Sequence, residues 1–267
     1  MSQYYNRYKQ FTINGENITV PFLGLPSKPS DKKVIYKESI SRKDYSLPDK
    51  GFIFTCFNSN KKISEKEFDI WMRLLRKTKE SVLWLKGSNK LAINNLRTEA
   101  EKRNVDKNRL IFANSLPLDQ HLARHSLASL GLDTFAFNGC STSTFGLWAG
   151  MPILTKLGES FSARFTASLL NTMGVHELIT HSKDEYEEVA LRLANKPDEL
   201  LELKDKIKRS RYTSPLFNSK LFTNEIEEVY KELINKKCVY AFTRFNEMFF
   251  GKTKCLIQKS SLDILFK

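Results

Sequence analysis

The chain has 267 residues, a formal net charge of +13 and four cysteines. Its length allows a substantial core in one or two domains, and its mean hydropathy of −0.40 argues against a membrane protein, as does the absence of any apolar run near the roughly 20 residues of a bilayer span. The cysteines lack CxxC spacing and the N-terminus lacks a signal peptide's apolar segment, so we expect free thiols in a cytoplasmic protein.

The positive charge is spread along predicted helices and mixed with acidic residues, as around Arg73-Leu-Leu-Arg-Lys-Thr-Lys79. A basic arm that binds nucleic acid would instead gather its charge in one segment. This distribution favours a solvated basic surface, and nucleic-acid binding is the less favoured alternative.

Residues 1–50 contain turn signals and little periodicity, and we interpret them as a linker with one short strand near Ile18 to Leu23. From residue 52 to residue 180, apolar runs typical of buried strands alternate with amphipathic segments typical of helices. The predicted strands are 52–57, 81–85, 109–112, a strand from 131, a strand after 152, and 178–180. The predicted helices are one after Ser64, then 91–102, 117–127, one from 140, one ending at 173, 183–195, 197–211 and 224–236.

This alternation predicts an α/β fold, a Rossmann-like parallel sheet with helices on both faces. We expect three segments: a linker at 1–50, a sheet domain at 51–236, and an aromatic, basic tail at 237–267. The sequence leaves open whether the tail is an added helix, a partner contact or a loosely ordered end.

The stretch from Gly131 to Thr155 predicts a strand, a tight turn at Asn138-Gly139, a helix that begins at Cys140-Ser141-Thr142, and a second strand. The first N–H groups of a helix lack partners within it and form the positive end of its dipole. We therefore expect this helix start to bind a phosphate or another anion.

Further candidates follow the carboxyl ends of other predicted strands, where parallel sheets bind ligands. They are Asn58, Ser59, Lys61 and Lys62 after the first strand, Leu116, His121 and Arg124 after the third, and Asn138 to Thr142 after the fourth. Each also has an ordinary interpretation, because lysines are usually solvated, histidines are often half-buried and Asn-Gly usually forms a turn. The sequence contains no GxGxxG, P-loop, HExxH or GxSxG motif and no Cys/His pair that suggests a metal.

A series of segments resembles, in order and spacing, the C-terminal catalytic lobe of the O-GlcNAc transferase family and its SPINDLY-like relatives. The resemblance covers about residues 25 to 236. It rests on Phe57-Asn-Ser-Asn-Lys-Lys-Ile63, Ser81-Val-Leu-Trp-Leu85, Arg109-Leu-Ile-Phe112, Leu132-Asp-Thr134, Asn138-Gly139, Leu147-Trp-Ala-Gly-Met-Pro152, Gly158-Glu-Ser-Phe-Ser-Ala-Arg164 and Ser214-Pro-Leu-Phe-Asn218.

The resemblance implies one lobe of a GT-B glycosyltransferase, which transfers N-acetylglucosamine from UDP to Ser or Thr hydroxyls of proteins without a metal or other cofactor. By position, Lys62 matches the catalytic lysine that neutralises the leaving diphosphate. Leu116, His121 and Arg124 match residues around the uracil. The resemblance assigns the remaining UDP-sugar contacts to Asn58, Ser59, Asn138, Gly139, Cys140, Ser141 and Thr142.

The chain departs from the family pattern where Cys140 replaces a histidine, Phe145 an aspartate, Leu118 a lysine and Ser59 a glutamine. In the family an N-terminal lobe, usually preceded by TPR repeats, comes before this lobe. In this sequence only a short remnant before residue 50 is expected to belong to that N-terminal lobe. The chain is then a fragment, a degenerate gene product, or a partner for a separate N-terminal lobe or TPR-containing chain. Its other expected partners are the UDP-sugar and the protein acceptor. The alternative is a non-catalytic lobe that acts as a binding module.

Overall fold

The computed structural model describes residues 8–13, 16–21, 35 and 39–250, with side chains at 35 and 39–234. The chain divides into two compact units, residues 1–219 and 220–267. The strands are β1 Tyr8–Ile13, β2 Glu16–Pro21, β3 Ile53–Cys56, β4 Val82–Lys86, β5 Leu110–Ala113, β6 Leu130–Leu132, β7 Ile153–Lys156 and β8 Ile179–Thr180. The helices are α1 Glu65–Lys77, α2 Lys90–Lys102, α3 Leu118–Arg124, α4 Ser141–Trp148, α5 Phe165–Thr172, α6 Lys183–Asn195, α7 Pro197–Thr213 and α8 Ser219–Phe250.

Six strands form one parallel sheet in the order β5-β4-β3-β6-β7-β8. The chain builds outward from β3 to β5 and then crosses back to place β6 on the other side of β3. This reversal is the topological switch point at which open α/β sheets bind ligands. The α/β Rossmann-like prediction is confirmed.

The sheet forms because its strands are continuous apolar runs. All four residues of β3 are buried, as are Val82 to Leu85 of β4, which is the pattern of a sheet covered on both faces. On one face α1 packs against α6, where Trp71 and Tyr186 are fully buried and the indole Nε1 donates to the phenol oxygen at 3.4 Å. Helices α4 and α5 pack on the other face, against β7.

Local signals set the helix ends as predicted. Ser64 and Glu67 form the predicted capping box at the start of α1, with the Ser64 N–H donating to Glu67 Oε1 at 2.9 Å. Gly174, with a φ of +71°, follows the end of α5 in the left-handed conformation that glycine adopts without steric cost.

Three local predictions need correction. The strand from Gly131 ends at Leu132, and residues 133–140 form a loop with no tight turn at Asn138-Gly139, because the Asp133 side chain binds the loop's own N–H groups. Near the N-terminus, β2 pairs antiparallel with a strand that was not expected, β1. The helix predicted at 224–236 is the longer α8.

The domain boundary proposed at residue 236 lies within α8 and stays a prediction, and residues 251–267 of the tail lie outside the described part of the chain. Among the helices that the structure describes, none is long and apolar enough to cross a bilayer.

Part of the positive charge serves the fold directly. The Lys204 ammonium of α7 donates to the Ala128 carbonyl at 2.9 Å, and Arg211 Nη1 donates to the Trp148 carbonyl at 2.7 Å. These carbonyls lie where a helical segment ends, and cations stabilise such ends. Burial lowers the pKa of Lys204, and the nearby cations Lys208 and Arg42 lower it further. These two α7 cations therefore act as internal caps.

Candidate functional site

The candidate residues converge on the carboxyl edge of the sheet at the switch point. The segment after β3 carries Asn58, Ser59 and Lys62, and the loop after β6 leads through Asn138 and Gly139 into α4. A small pocket between the two segments is lined by residues that include Asn58, Asp133, Thr142 and Ser143. The topology thus brings together residues that lie about 80 positions apart in sequence.

Asp133 joins the two segments. The Asn58 amide donates to Asp133 Oδ1 at 3.0 Å, and the backbone N–H groups of Thr134 and Gly139 donate to the same oxygen at 3.0 and 2.8 Å. The Thr155 hydroxyl donates to Oδ2 at 2.9 Å. Asp133 is 2% exposed, and this burial raises the pKa of its carboxyl group, while the hydrogen bonds act in the opposite direction. The carboxylate is a buried anchor for the loop.

Lys62 is the cation of the site. It ends a short 3-10 turn, and its half-buried ammonium donates to the Asn138 carbonyl at 2.9 Å and lies 4.0 Å from the centroid of the Phe137 ring. Burial lowers the pKa of Lys62, and the negative charge of Asp133 partly offsets this effect. Among the described side chains, no carboxylate lies within 4.0 Å of the ammonium. Lys62 therefore keeps two N–H donors and a positive charge for an incoming anion.

Helix α4 begins beside this cation. Its first residues Ser141 and Thr142 are half-buried, and the Ser141 backbone N–H forms a hydrogen bond with the Cys140 thiol. The Thr144 N–H makes a helical hydrogen bond to the Cys140 carbonyl at 3.0 Å, so the N–H groups of Ser141 and Thr142 precede the hydrogen-bond ladder. Their donors and the helix dipole favour negative charge at this point.

Gly139 allows the loop to pass close to both neighbouring segments. A Cβ atom at this position would lie 2.4 Å from Ser143 Oγ and 2.7 Å from Asn58 Oδ1, closer than real Cβ contacts. The glycine is therefore required by the close approach of the loop and the helix start, rather than by the tight turn that the sequence suggested.

The predicted base-binding residues lie next to β3, on and before α3. Phe57 connects them: its ring centroid is 5.5 Å from that of His121, and the Arg124 guanidinium lies 4.6 Å from the Phe57 centroid. The His121 ring also approaches Phe145 of α4, at 6.4 Å. Leu116 is half-buried in the segment between β5 and α3.

Burial sets the charge states on this side of the site. It lowers the pKa of His121 to about 4, with further lowering by Arg124 and Lys86, so the imidazole is neutral at pH 7. Arg124 is only 4% exposed and donates to the Asn114 carbonyl at 2.7 Å, and burial lowers its pKa to about 10. The guanidinium thus forms part of the wall, and His121 is the more accessible of the two.

Sequence reasoning missed two residues of this region. In the sequence, Asp133 is one residue of the Leu132-Asp-Thr134 segment of the resemblance, although an aspartate directly after a buried strand at a switch point is itself a signal of a site. His125 gave no signal: its Nδ1 lies 2.6 Å from the His121 carbonyl oxygen, it is 1% exposed, and burial lowers its pKa to about 3.

The arrangement combines one ammonium group, a helix start and buried hydrogen-bond anchors, which is a chemistry suited to phosphate groups. Within the described residues, no group of three or more His, Cys, Asp or Glu side chains could hold a metal ion. The thiol of Cys140, at the helix start, has its pKa raised by burial and partly lowered by Lys62.

A family model and two curated relatives of the chain point to the same type of glycosyltransferase. The model of Glycosyl transferase family 41 matches residues 27–226. The chain is 33% identical over 189 residues to a UDP-N-acetylglucosamine--peptide N-acetylglucosaminyltransferase of Caenorhabditis elegans, covering 71% of this chain and 16% of that protein. It is 34% identical over 198 residues to the probable enzyme of this type named SEC in Arabidopsis thaliana, covering 74% and 20%.

Among solved structures, a K341M mutant of Thermobaculum terrenum O-GlcNAc transferase superposes with a TM-score of 0.68 at 28% identity, covering 72% of this chain and 37% of that one. The glycosyltransferase WaaG superposes with a TM-score of 0.52 at 15% identity, over 69% of this chain and 48% of its own, and shares the fold alone. The chain thus spans only 16–20% of the length of the two curated relatives.

Proposed function

Because the chain belongs to glycosyl transferase family 41, we propose that its parallel sheet is the donor-binding lobe of a UDP-sugar-dependent protein O-glycosyltransferase. The proposed donor is UDP-N-acetylglucosamine, and the proposed acceptors are Ser and Thr hydroxyl groups of proteins. One observation carries the proposal: the Lys62 ammonium, without an ion-paired carboxylate among the described residues, lies at the same sheet edge as the start of α4.

In this proposal Lys62 supplies the main chemical contribution. Transfer of a sugar from UDP leaves a diphosphate whose negative charge increases as the glycosidic bond breaks. A cation held in place at that point stabilises the transition state more than the ground state. The Asn138 carbonyl holds the ammonium before the donor binds, so little reorganisation is needed during the reaction.

The other residues bind the donor. The first amides of α4, at Ser141 and Thr142, would receive the phosphate oxygens, while Asn58, Ser59, Asn138, Gly139 and Cys140 line the same edge. His121, Arg124 and Leu116 would form the wall for the uracil. The neutral His121 ring is suited to stacking or to a hydrogen bond rather than to an ion pair.

The proposal extends to partners, as the sequence resemblance implies. A second lobe, on a separate chain or a TPR-containing protein, would complete the acceptor side of the site. The cytoplasmic location and the metal-free reaction are further parts of the same proposal: the first derives from the cysteine pattern and the N-terminal sequence, and the second from the sequence resemblance.

Calorimetry with UDP tests the donor site directly. We expect the chain to bind UDP, and Lys62→Met to weaken the affinity by about 10- to 150-fold, the range that corresponds to a charged hydrogen bond of roughly 1.5–3 kcal/mol. Lys61→Met is the matched control, because Lys61 is the exposed neighbour in the same 3-10 turn, and it should retain the affinity.

Two outcomes would count against the proposal. A chain that fails to bind millimolar UDP has no donor site, and equal losses in the two lysine variants would show only a general charge effect. Sugar transfer is tested separately, with labelled UDP-N-acetylglucosamine and acceptor peptides. UDP binding without any transfer, even with an added N-terminal lobe, would favour the non-catalytic alternative.

A further inference from the structure

A single peptide group lies between the buried carboxylate and the cation of the site. The Gly139 N–H donates to Asp133 Oδ1 at 2.8 Å, and the Asn138 carbonyl accepts from the Lys62 ammonium at 2.9 Å. These two groups belong to the same peptide unit, the bond between Asn138 and Gly139. In a trans peptide the N–H and the C=O point in opposite directions, so fixing one of them fixes the other.

The charges agree with this orientation at both ends. The carboxylate faces the positive N–H end of the peptide dipole, and the ammonium faces the negative carbonyl end. A rotated peptide would place the carbonyl oxygen next to the carboxylate and turn the N–H toward the ammonium. Because Asp133 is 2% exposed, water screens this arrangement weakly.

Other hydrogen bonds hold the Asp133 carboxylate and the loop at Gly139 in place. The Asn58 amide, just after β3, and the Thr155 hydroxyl of β7 bind the Asp133 carboxylate from the two sides of β6. The Thr166 hydroxyl donates to the Gly139 carbonyl at 3.1 Å and lies 2.9 Å from Ser143 Oγ, which ties the loop to α4. The carboxylate is therefore held in place, and its hydrogen bond to the Gly139 N–H fixes the orientation of the Asn138–Gly139 peptide.

We propose that Asp133 is a positioning residue for Lys62: through the Asn138–Gly139 peptide, its buried carboxylate orients the carbonyl group that holds the Lys62 ammonium at the edge of the sheet. The inference rests on the proposed function for its consequence, which is that Asp133 affects UDP binding without touching UDP.

A double-mutant cycle separates this role from a purely structural one. UDP affinity is measured for the unmodified chain, Asp133→Ala, Lys62→Met and the double variant, each verified as folded by circular dichroism. If Asp133 acts through Lys62, Asp133→Ala weakens UDP binding by about tenfold when Lys62 is present and by less than about twofold in the Lys62→Met background. Equal losses in both backgrounds would show that Asp133 only supports the loop.

Asp133→Asn provides the conservative variant, and it still serves if Asp133→Ala does not fold. Its side-chain oxygen can accept from the Gly139 N–H, and the Thr155 hydroxyl can rotate to accept from the new amide. We expect this variant to bind UDP within about threefold of the unmodified chain. An affinity as low as that of a folded Asp133→Ala, or a loss above tenfold in Asp133→Asn itself, would overturn the inference.

A spectroscopic measurement makes the test independent of UDP. The ¹⁵N signal of the Lys62 ammonium, assigned by its loss in Lys62→Met, should be sharp in the unmodified chain and in Asp133→Asn, because both keep an acceptor for the Gly139 N–H. It should broaden in a folded Asp133→Ala, while the Lys61 signal is unchanged. A Lys62 signal that stays sharp in Asp133→Ala, or that broadens in Asp133→Asn, would overturn the inference, whereas failure of the unmodified chain to bind UDP would overturn only the proposed function.

Discussion

The stability of the sheet domain should depend on the neutral state of His125. The imidazole is 1% exposed, its Nδ1 contacts the His121 carbonyl oxygen, and its ring centroid lies 4.7 Å from that of His121. Burial, followed by the proximity of His121 and Arg124, lowers the pKa of His125 from 6.5 to about 3. Lowering the pH is therefore the perturbation that tests this environment.

The sign follows from proton binding. Between pH 6.5 and pH 3 the unfolded chain binds a proton at this histidine and the folded chain does not, so the free energy of unfolding decreases as the pH falls below 6.5 and is unaffected above it. At pH 5.5 the two pKa values give a loss of about 1.4 kcal/mol for His125. The lowered pKa of His121, about 4, adds a loss of the same sign.

Urea unfolding at pH 7.5 and pH 5.5, at constant ionic strength, measures the effect. The pKa of the Glu187 carboxyl group is lowered from 4.5 in the folded chain, so its contribution to stability is lost below this window. Asp133 acts with the opposite sign because its folded pKa is raised. The informative quantity is therefore the difference between the unmodified chain and His125→Gln. The decrease in unfolding free energy from pH 7.5 to pH 5.5 should be about 1.4 kcal/mol smaller in His125→Gln.

His176→Gln is the matched control, because it removes an exposed imidazole outside the site. Its unfolding free energy should decrease between pH 7.5 and pH 5.5 by as much as that of the unmodified chain. A loss in His125→Gln equal to that of the unmodified chain would refute the reasoning, since the buried imidazole would then not be the group that titrates.

Three further substitutions test the loop, the sheet and the capping box. Gly139→Ala should cost about 1–3 kcal/mol of unfolding free energy by urea titration and weaken UDP binding, because the new Cβ meets Ser143; a neutral result would contradict the close approach. Arg109→Met should cost about 2–3 kcal/mol in the same assay, because the carbonyl groups of Leu75, Thr78 and Ser81 each lose a charged donor, whereas the exposed Arg209→Met should cost almost nothing, and equal costs would contradict this role. Ser64→Ala should lower thermal stability by about 1 kcal/mol through loss of the capping box, and an unchanged melting temperature would contradict that contribution.

Much of the fold was predictable because its signals are local. The apolar run of β3 and the capping box at Ser64 each report on a few neighbouring residues, and helix α6 was predicted with its observed ends. Strand β6 is short because the chain after it follows the contact between the Asp133 carboxylate and the Gly139 N–H. No periodicity in the sequence reveals an interaction between these two residues. The strand and turn prediction failed at this point for that reason.

The site was predictable as a set of residues but not as a geometry. Strand ends identified Lys62, His121 and the start of α4, since parallel strands place their carboxyl ends at one edge. Arg124 and His121 both pack against the Phe57 ring, and the periodicity of the sequence identifies Phe57 as an apolar strand residue without indicating these contacts. The roles assigned to these residues toward a UDP-sugar stay predictions.

The two cations of α7 that cap carbonyl groups have a practical consequence for anyone who alters the charge of this protein. A scheme that replaces surface lysines and arginines to improve solubility or crystallisation would select Lys204 and Arg211 by residue type alone, and would remove the donors to Ala128 and Trp148. Lys90 is a better choice, because it is exposed at the first residue of α2, where an acidic replacement suits the helix dipole.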